Sequence, residues 1–179
     1  MKSIFKITAL LAFAIILSID PSVAQERKKG KRPSPNAMVS QDIGATTVSI
    51  SYGRPGLKGR TLESLTPADK VWRTGANEAT TITFSDDVLF GGVEVKAGTY
   101  GLYTIPGENW MVMVNTGIGW GAGAYDESTN VAKVQAAVTA TDAPNMERFT
   151  IYFDTLSDTK AHLNLHWGTT LAAVPITLK

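Results

Sequence analysis

The sequence predicts an all-β fold: an antiparallel, jelly-roll-like β sandwich of about eight to ten short strands with one short helix. Three observations lead there. Apolar residues recur with a period of two over most of the chain from Ala37 onward, the spacing that puts alternate side chains on one face of a strand. Gly, Asn, Asp or Pro interrupts that pattern every ten residues or so, as hairpin turns require. Only one segment carries the markings of a helix. A closed barrel fits the same spacing and stands as the alternative architecture.

The first element in the chain lies outside that fold. Lys2 and Lys6 flank the start of an apolar run from Ile7 to Ile19, which Asp20 and Pro21 close and Ser22-Val23-Ala24 follow. A positive start, a short apolar stretch and a small-residue end are the three zones of a secretory signal peptide, so residues 1–24 are expected to be removed after Ala24. The run is about 13 residues, short of the roughly 20 that cross a bilayer, so no transmembrane segment is expected once it is cleaved. The protein is accordingly expected to be exported, to the periplasm or the extracellular medium. It has no cysteine, and a domain working there without disulfides depends on its core alone.

Residues 25–35 follow, with Arg27, Lys28, Lys29, Lys31 and Arg32 crowded together, two prolines and no apolar periodicity. They read as a disordered basic linker. Residues 36–179 are then one domain, long enough to bury a sizeable core. From Asn36 onward there are 10 basic and 14 acidic side chains. An acidic body argues against nucleic acid as a partner, because that recognition neutralises phosphates with a basic face.

Within the domain, Val48, Ile50 and Tyr52 share one face of a strand while Thr47, Ser49 and Ser51 share the other. The same alternation predicts strands over 80–85, 99–105, 110–115, 131–139, 148–154, 161–167 and 171–178, with a hairpin of 88–90 and 93–95 turning at Gly91-Gly92. Pro175 cannot donate to a ladder, so the last strand is placed at a sheet edge or bulge. The helix is placed at Thr66–Trp72, with Thr66 as N-cap, Pro67 in the first helical position and Asp69 near the positive end of the dipole. Residues 116–129, rich in glycine, read as a mobile surface loop presenting Trp120 and Tyr125.

The usual signatures of chemistry are missing. The chain has neither a Gly-x-Ser-x-Gly element nor a cysteine nucleophile. His162 and His166 flank Asn164 on one strand face. At roughly 3.3 Å per residue the two rings stand about 13 Å apart, too far to share a metal with bonds near 2 Å, so this face is expected to meet solvent. No metal and no cofactor is expected.

The most informative stretch is Trp72-Arg73-Thr74-Gly75-Ala76-Asn77-Glu78-Ala79-Thr80, which puts an indole, a guanidinium, an amide and a carboxylate within seven residues. With Ser51-Tyr52-Gly53-Arg54-Pro55, Gly59-Arg60, the block from Lys96 to Pro106 and the closing Leu165-His166-Trp167, it resembles the exported bacterial proteins grouped as domain of unknown function 2911. The resemblance covers nearly the whole chain after the leader. It implies no activity, substrate or cofactor, because none is established for that family. Gly101 departs from it where relatives tend to have Ser, and Gly168 where an acidic residue commonly follows Trp167.

Two readings of the block stand side by side. In one, Arg73 and Glu78 form an ion pair, Asn77 caps loop backbone and Trp72 fills the end of the sandwich. In the other, Arg54, Arg60, Arg73, Asn77 and Glu78 gather into a polar pocket walled by Tyr52 and Trp72, suited to a small anionic or sugar-like ligand. The expected function is a non-catalytic binding module using that pocket. The alternatives are a hydrolase-type enzyme with Glu78 as acid or base beside Arg73 and Asn77, and a structural or interaction protein of the cell envelope.

Overall fold

The computed structural model describes residues 32–179. The expected signal peptide, 1–24, and residues 25–31 of the expected linker lie outside the described residues. Twelve strands are found: β1 (Asn36–Ile43), β2 (Thr46–Gly53), β3 (Thr81–Phe84), β4 (Val88–Phe90), β5 (Val93–Val95), β6 (Gly98–Ile105), β7 (Met111–Asn115), β8 (Asn130–Gln135), β9 (Val138–Ala140), β10 (Met146–Ser157), β11 (Lys160–Gly168) and β12 (Thr170–Leu178). They form two antiparallel six-stranded sheets, an all-β sandwich. One sheet runs β1-β2-β3-β6-β7-β8; the other runs β10-β11-β12-β4-β5, with β9 also paired to β12.

The alternation read from the sequence is what packs the two sheets. Val48 and Ile50 of β2, Ile82 and Phe84 of β3 and Val112 and Val114 of β7 point inward from one sheet. Phe149 and Ile151 of β10, Leu163 and Leu165 of β11 and Val174 and Ile176 of β12 meet them from the other, in one continuous core. Each such side chain, fully removed from water, stabilises the fold by about 1.5–3 kcal/mol.

Four local expectations are corrected. The helix, α1, spans Leu62–Leu65, with its N-cap five residues earlier than expected, at Thr61 in place of Thr66. Thr61 is its N-cap, accepting from the Ser64 amide, and Thr66 is its C-cap. Pro67 therefore ends the helix and does not start it, since a residue before proline is pushed out of the α region. The expected strand 131–139 is two strands in different sheets: the Ala136 amide bonds the Trp110 carbonyl, while the Ala137 amide bonds the Ala173 carbonyl, so the chain crosses between sheets there.

Pro175 lies inside a sheet, not at its edge, with β12 between β11 and β4. It is tolerated because β9 pairs with Leu171–Ala173 and β4 with Ile176–Leu178, so Pro175 sits where the neighbouring strand is interrupted. Finally, the His162-Asn164-His166 face does not meet solvent throughout. Asn164 and His166 are buried: the Asn164 amide donates to the Asp154 carboxylate (3.0 Å), and His166 Nε2 bonds the Pro144 carbonyl (2.9 Å) in the connection that passes over it. Among the described residues no group of three or more His, Cys, Asp or Glu is placed to hold a metal, and no helix is long and apolar enough to cross a membrane.

Candidate functional site

The Trp72–Thr80 loop lies between α1 and β3, and its first residue anchors it. Trp72 exchanges backbone hydrogen bonds with Thr104 of β6 (2.7 and 2.9 Å). Its indole then enters an aromatic cluster, stacked on Trp167 (centroids 5.6 Å) and edge-on to Phe149 (4.9 Å) and Trp110 (6.3 Å). The indole N–H donates to the Gly75 carbonyl (3.1 Å), which curls the loop back over the ring. Trp72 thus fills the end of the sandwich.

Behind it the loop is held by threonines. Thr74 is fully buried, its hydroxyl bonded to that of Thr104 (3.2 Å) and its carbonyl accepting from the Thr80 hydroxyl (2.9 Å). Its φ is +52°, a left-handed conformation that a β-branched residue avoids, at a cost of order 1–3 kcal/mol. Asn77 is also left-handed, at +68°.

The other candidates do not converge on one pocket. The Tyr52 phenol is buried and takes the Ile151 amide (2.9 Å), capping the free edge of β10 from the opposite sheet. Arg54 braces the same edge, from Nε to the Phe149 carbonyl (3.1 Å) and from Nη2 to the Thr150 hydroxyl (2.6 Å). Arg60 is exposed and folds onto its own loop, bonding the carbonyls of Gly56 and Leu57. Asn77 donates to the Ser34 carbonyl (2.8 Å).

Glu78 pairs with Arg32, one guanidinium nitrogen lying 2.8 and 2.7 Å from its two carboxylate oxygens. The anticipated Arg73–Glu78 pair is not what forms. Arg32 and Ser34, with Pro35 whose carbonyl accepts from the Arg54 amide (2.8 Å), thus bind the body within the stretch assigned to the linker. No local pattern announces this contact, since Arg32 and Glu78 are 46 residues apart.

Arg73 is the exception. Its Nε is buried and has no hydrogen-bond partner among the described residues, whereas every other polar candidate is engaged. A buried donor left unmade costs about 1–3 kcal/mol. An open cleft of about 250 Å³ exists elsewhere, lined in part by Glu63, Glu108 and Trp110, and none of the candidate residues lines it.

The family model described as "Protein of unknown function (DUF2911)" matches residues 34–176. The chain belongs to this family. No curated protein and no solved structure matches it. The match begins at Ser34, so the segment that fastens to Asn77 falls inside the family's bounds. Gly101, one of the two departures, is explained by packing: a side chain there would press on the Gly117 carbonyl and the Tyr103 ring. The Tyr103 hydroxyl donates to that Gly117 carbonyl (3.1 Å), tying down the start of the loop expected to be a mobile display of two aromatics. Trp120 is indeed 69% exposed, but Tyr125 is not presented: it packs on Tyr103 (5.2 Å) and accepts from Asn130 (2.9 Å).

The electrostatics give a prediction. Hydrogen bonding from Arg32, reinforced by a backbone amide, pulls the Glu78 carboxyl down from 4.5 to about 2. A carboxyl depressed in the folded state contributes stability above its unfolded value, and that stability is lost as pH falls toward the folded one. Melting temperature is expected to decline from about pH 5 to about pH 2, and to decline less in Arg32→Gln. Equal declines in both proteins would contradict the clamp.

Proposed function

We propose that the protein is a non-catalytic binding module that holds a small anionic or sugar-like ligand at the Trp72–Thr80 loop through Arg73. The observation that carries this reading is the buried Arg73 Nε with no acceptor among the described residues. A guanidinium offers a planar fork of donors suited to carboxylate, phosphate or vicinal hydroxyls. The adjoining left-handed Thr74 supports it, because backbone strain of this kind collects at ligand sites.

The enzyme alternative asks Glu78 to exchange protons near neutral pH. A general acid or base works best with a pKa near the operating pH, and a carboxyl held at about 2 by Arg32 stays ionised there. The leader pattern makes export, to the periplasm or beyond, part of the same reading; a mature chain beginning at Gln25 is its check.

Thermal shift of wild type and Arg73→Met against inorganic phosphate, glucose and glucuronate tests the site. Wild type is expected to gain stability with at least one probe, since ligands selective for the native form raise it by mass action. Arg73→Met is expected to lose that gain while melting at the wild-type temperature or above, because it removes a buried donor without a partner. A strong fall in the melting temperature of Arg73→Met, with its ligand response intact, would show that Arg73 is structural.

A further inference from the structure

A lateral strand leaves half of its amides and carbonyls unpaired, a ready template for another strand, and β proteins commonly guard such edges with charge, proline, bulges or shortness. Besides the three-residue β9, the lateral strands here are β1, β8, β10 and β5. Three are guarded. β5 has three residues, and its Glu94 is paired with Lys96 and Lys179. β8 carries Lys133 and meets β7 through a register shift. β10 is broken by two register shifts, and Tyr52, Arg54 and Pro55 already occupy the backbone groups of Phe149 and Ile151.

β1 is the least guarded of the four. It runs eight residues in unbroken register with β2, with no proline and a single charge, Asp42, near its end. Its free side can be assigned. In an antiparallel pair, opposite residues exchange two hydrogen bonds or none. The Arg54 amide bonds the Pro35 carbonyl, whereas Thr47, opposite Asp42, turns its amide and carbonyl to Ser85 on the other side. Odd-numbered residues of β1 therefore face β2, and the backbone groups of Asn36, Met38, Ser40 and Asp42 point away from it. Among the described residues only the Asp42 carbonyl of these has a partner, the Gln41 side chain. Met38, in the middle, is 74% exposed, the most exposed large apolar side chain described.

We propose that β1 pairs antiparallel with β1 of a second copy of this chain, joining two six-stranded sheets across a two-fold axis. The strand is self-complementary in that direction. Even-numbered residues meet even-numbered ones: a register centred on Met38 pairs Asn36 with Ser40 of the second copy and Met38 with Met38, so the outward amides of these three residues find carbonyls and the two exposed thioethers cover each other. Charge selects the same orientation: Asp42, the single charge of β1, lies near one end of the strand. Antiparallel pairing keeps the two Asp42 carboxylates at opposite ends of the seam, whereas parallel pairing sets Asp42 beside Asp42. A two-fold contact of one surface with itself closes at the dimer.

Sedimentation of the full chain, with the N-terminus its host leaves on it, tests this together with amide exchange. Wild type is expected to sediment as a dimer that dissociates on dilution, and its Met38 and Ser40 amides to gain protection with concentration. Ser40→Pro removes only an outward amide, a substitution that sheet edges tolerate, and Met38→Lys adds an edge charge. Both are expected to be monomers that melt near the wild-type temperature. A wild type that stays monomeric up to about 1 mM overturns the proposal. So does a dimer with unprotected Met38 and Ser40 amides, or one that survives in Met38→Lys.

Discussion

Trp72→Ala is expected to be the most damaging single truncation at the site, lowering stability by about 3–5 kcal/mol and the melting temperature by about 10 °C. The indole touches Trp110 from one sheet and Phe149 and Trp167 from the other, so its removal opens a cavity where the sheets meet. It also deletes the donor that holds the Gly75 carbonyl (3.1 Å), and with it the curl of the loop. Chemical denaturation measures the loss directly. A loss below about 1 kcal/mol, typical of surface changes, would mean that the cluster does not tie the sheets together.

Gly53→Ala is expected to cost about 1–3 kcal/mol or more, although it adds only a methyl group. A Cβ on Gly53 would run into the Ala76 carbonyl, and one on Gly75 would stand 2.6 Å from the Thr80 hydroxyl and 3.1 Å from the Gly53 carbonyl. The end of β2 and the site loop lie backbone against backbone, so neither can yield without moving the other. Gly123→Ala is the control, because nothing among the described residues lies within 4 Å of its added carbon; it is expected to melt as wild type does. Equal melting temperatures for the two variants would contradict the close approach.

The sandwich was legible because alternation is a local signal tied directly to burial. β2 shows it plainly, with Val48, Ile50 and Tyr52 buried as their spacing requires. Where the outcome depended on what packs from afar, the sequence was silent or misleading. Asn164 and His166 look like a solvent face until the connection carrying Pro144 covers them. Thr66-Pro67 carries helix-start chemistry, yet Thr61 caps an earlier turn and Pro67 closes it. β1 gives only a faint signal, because Gln41 interrupts the apolar face formed by Ala37, Val39 and Ile43.

The candidate site divides in the same way. Concentration of polar residues around Trp72 marked the correct loop, but composition does not reveal which groups are already taken. Tyr52 and Arg54 serve the edge of β10, Asn77 holds Ser34, and Glu78 holds Arg32. What distinguishes Arg73 is an Nε without a partner among the described residues, a property only coordinates can show.

The most direct measurement follows the nitrogen itself: a titration of the labelled protein with inorganic phosphate and with glucuronate, observing the guanidinium Nε–H signals. A saturable shift at Arg73, with Arg54 and Arg60 unmoved, is the predicted result. An Arg73 signal that stays still, or that drifts only in step with the exposed Arg60 as salt accumulates, would contradict it.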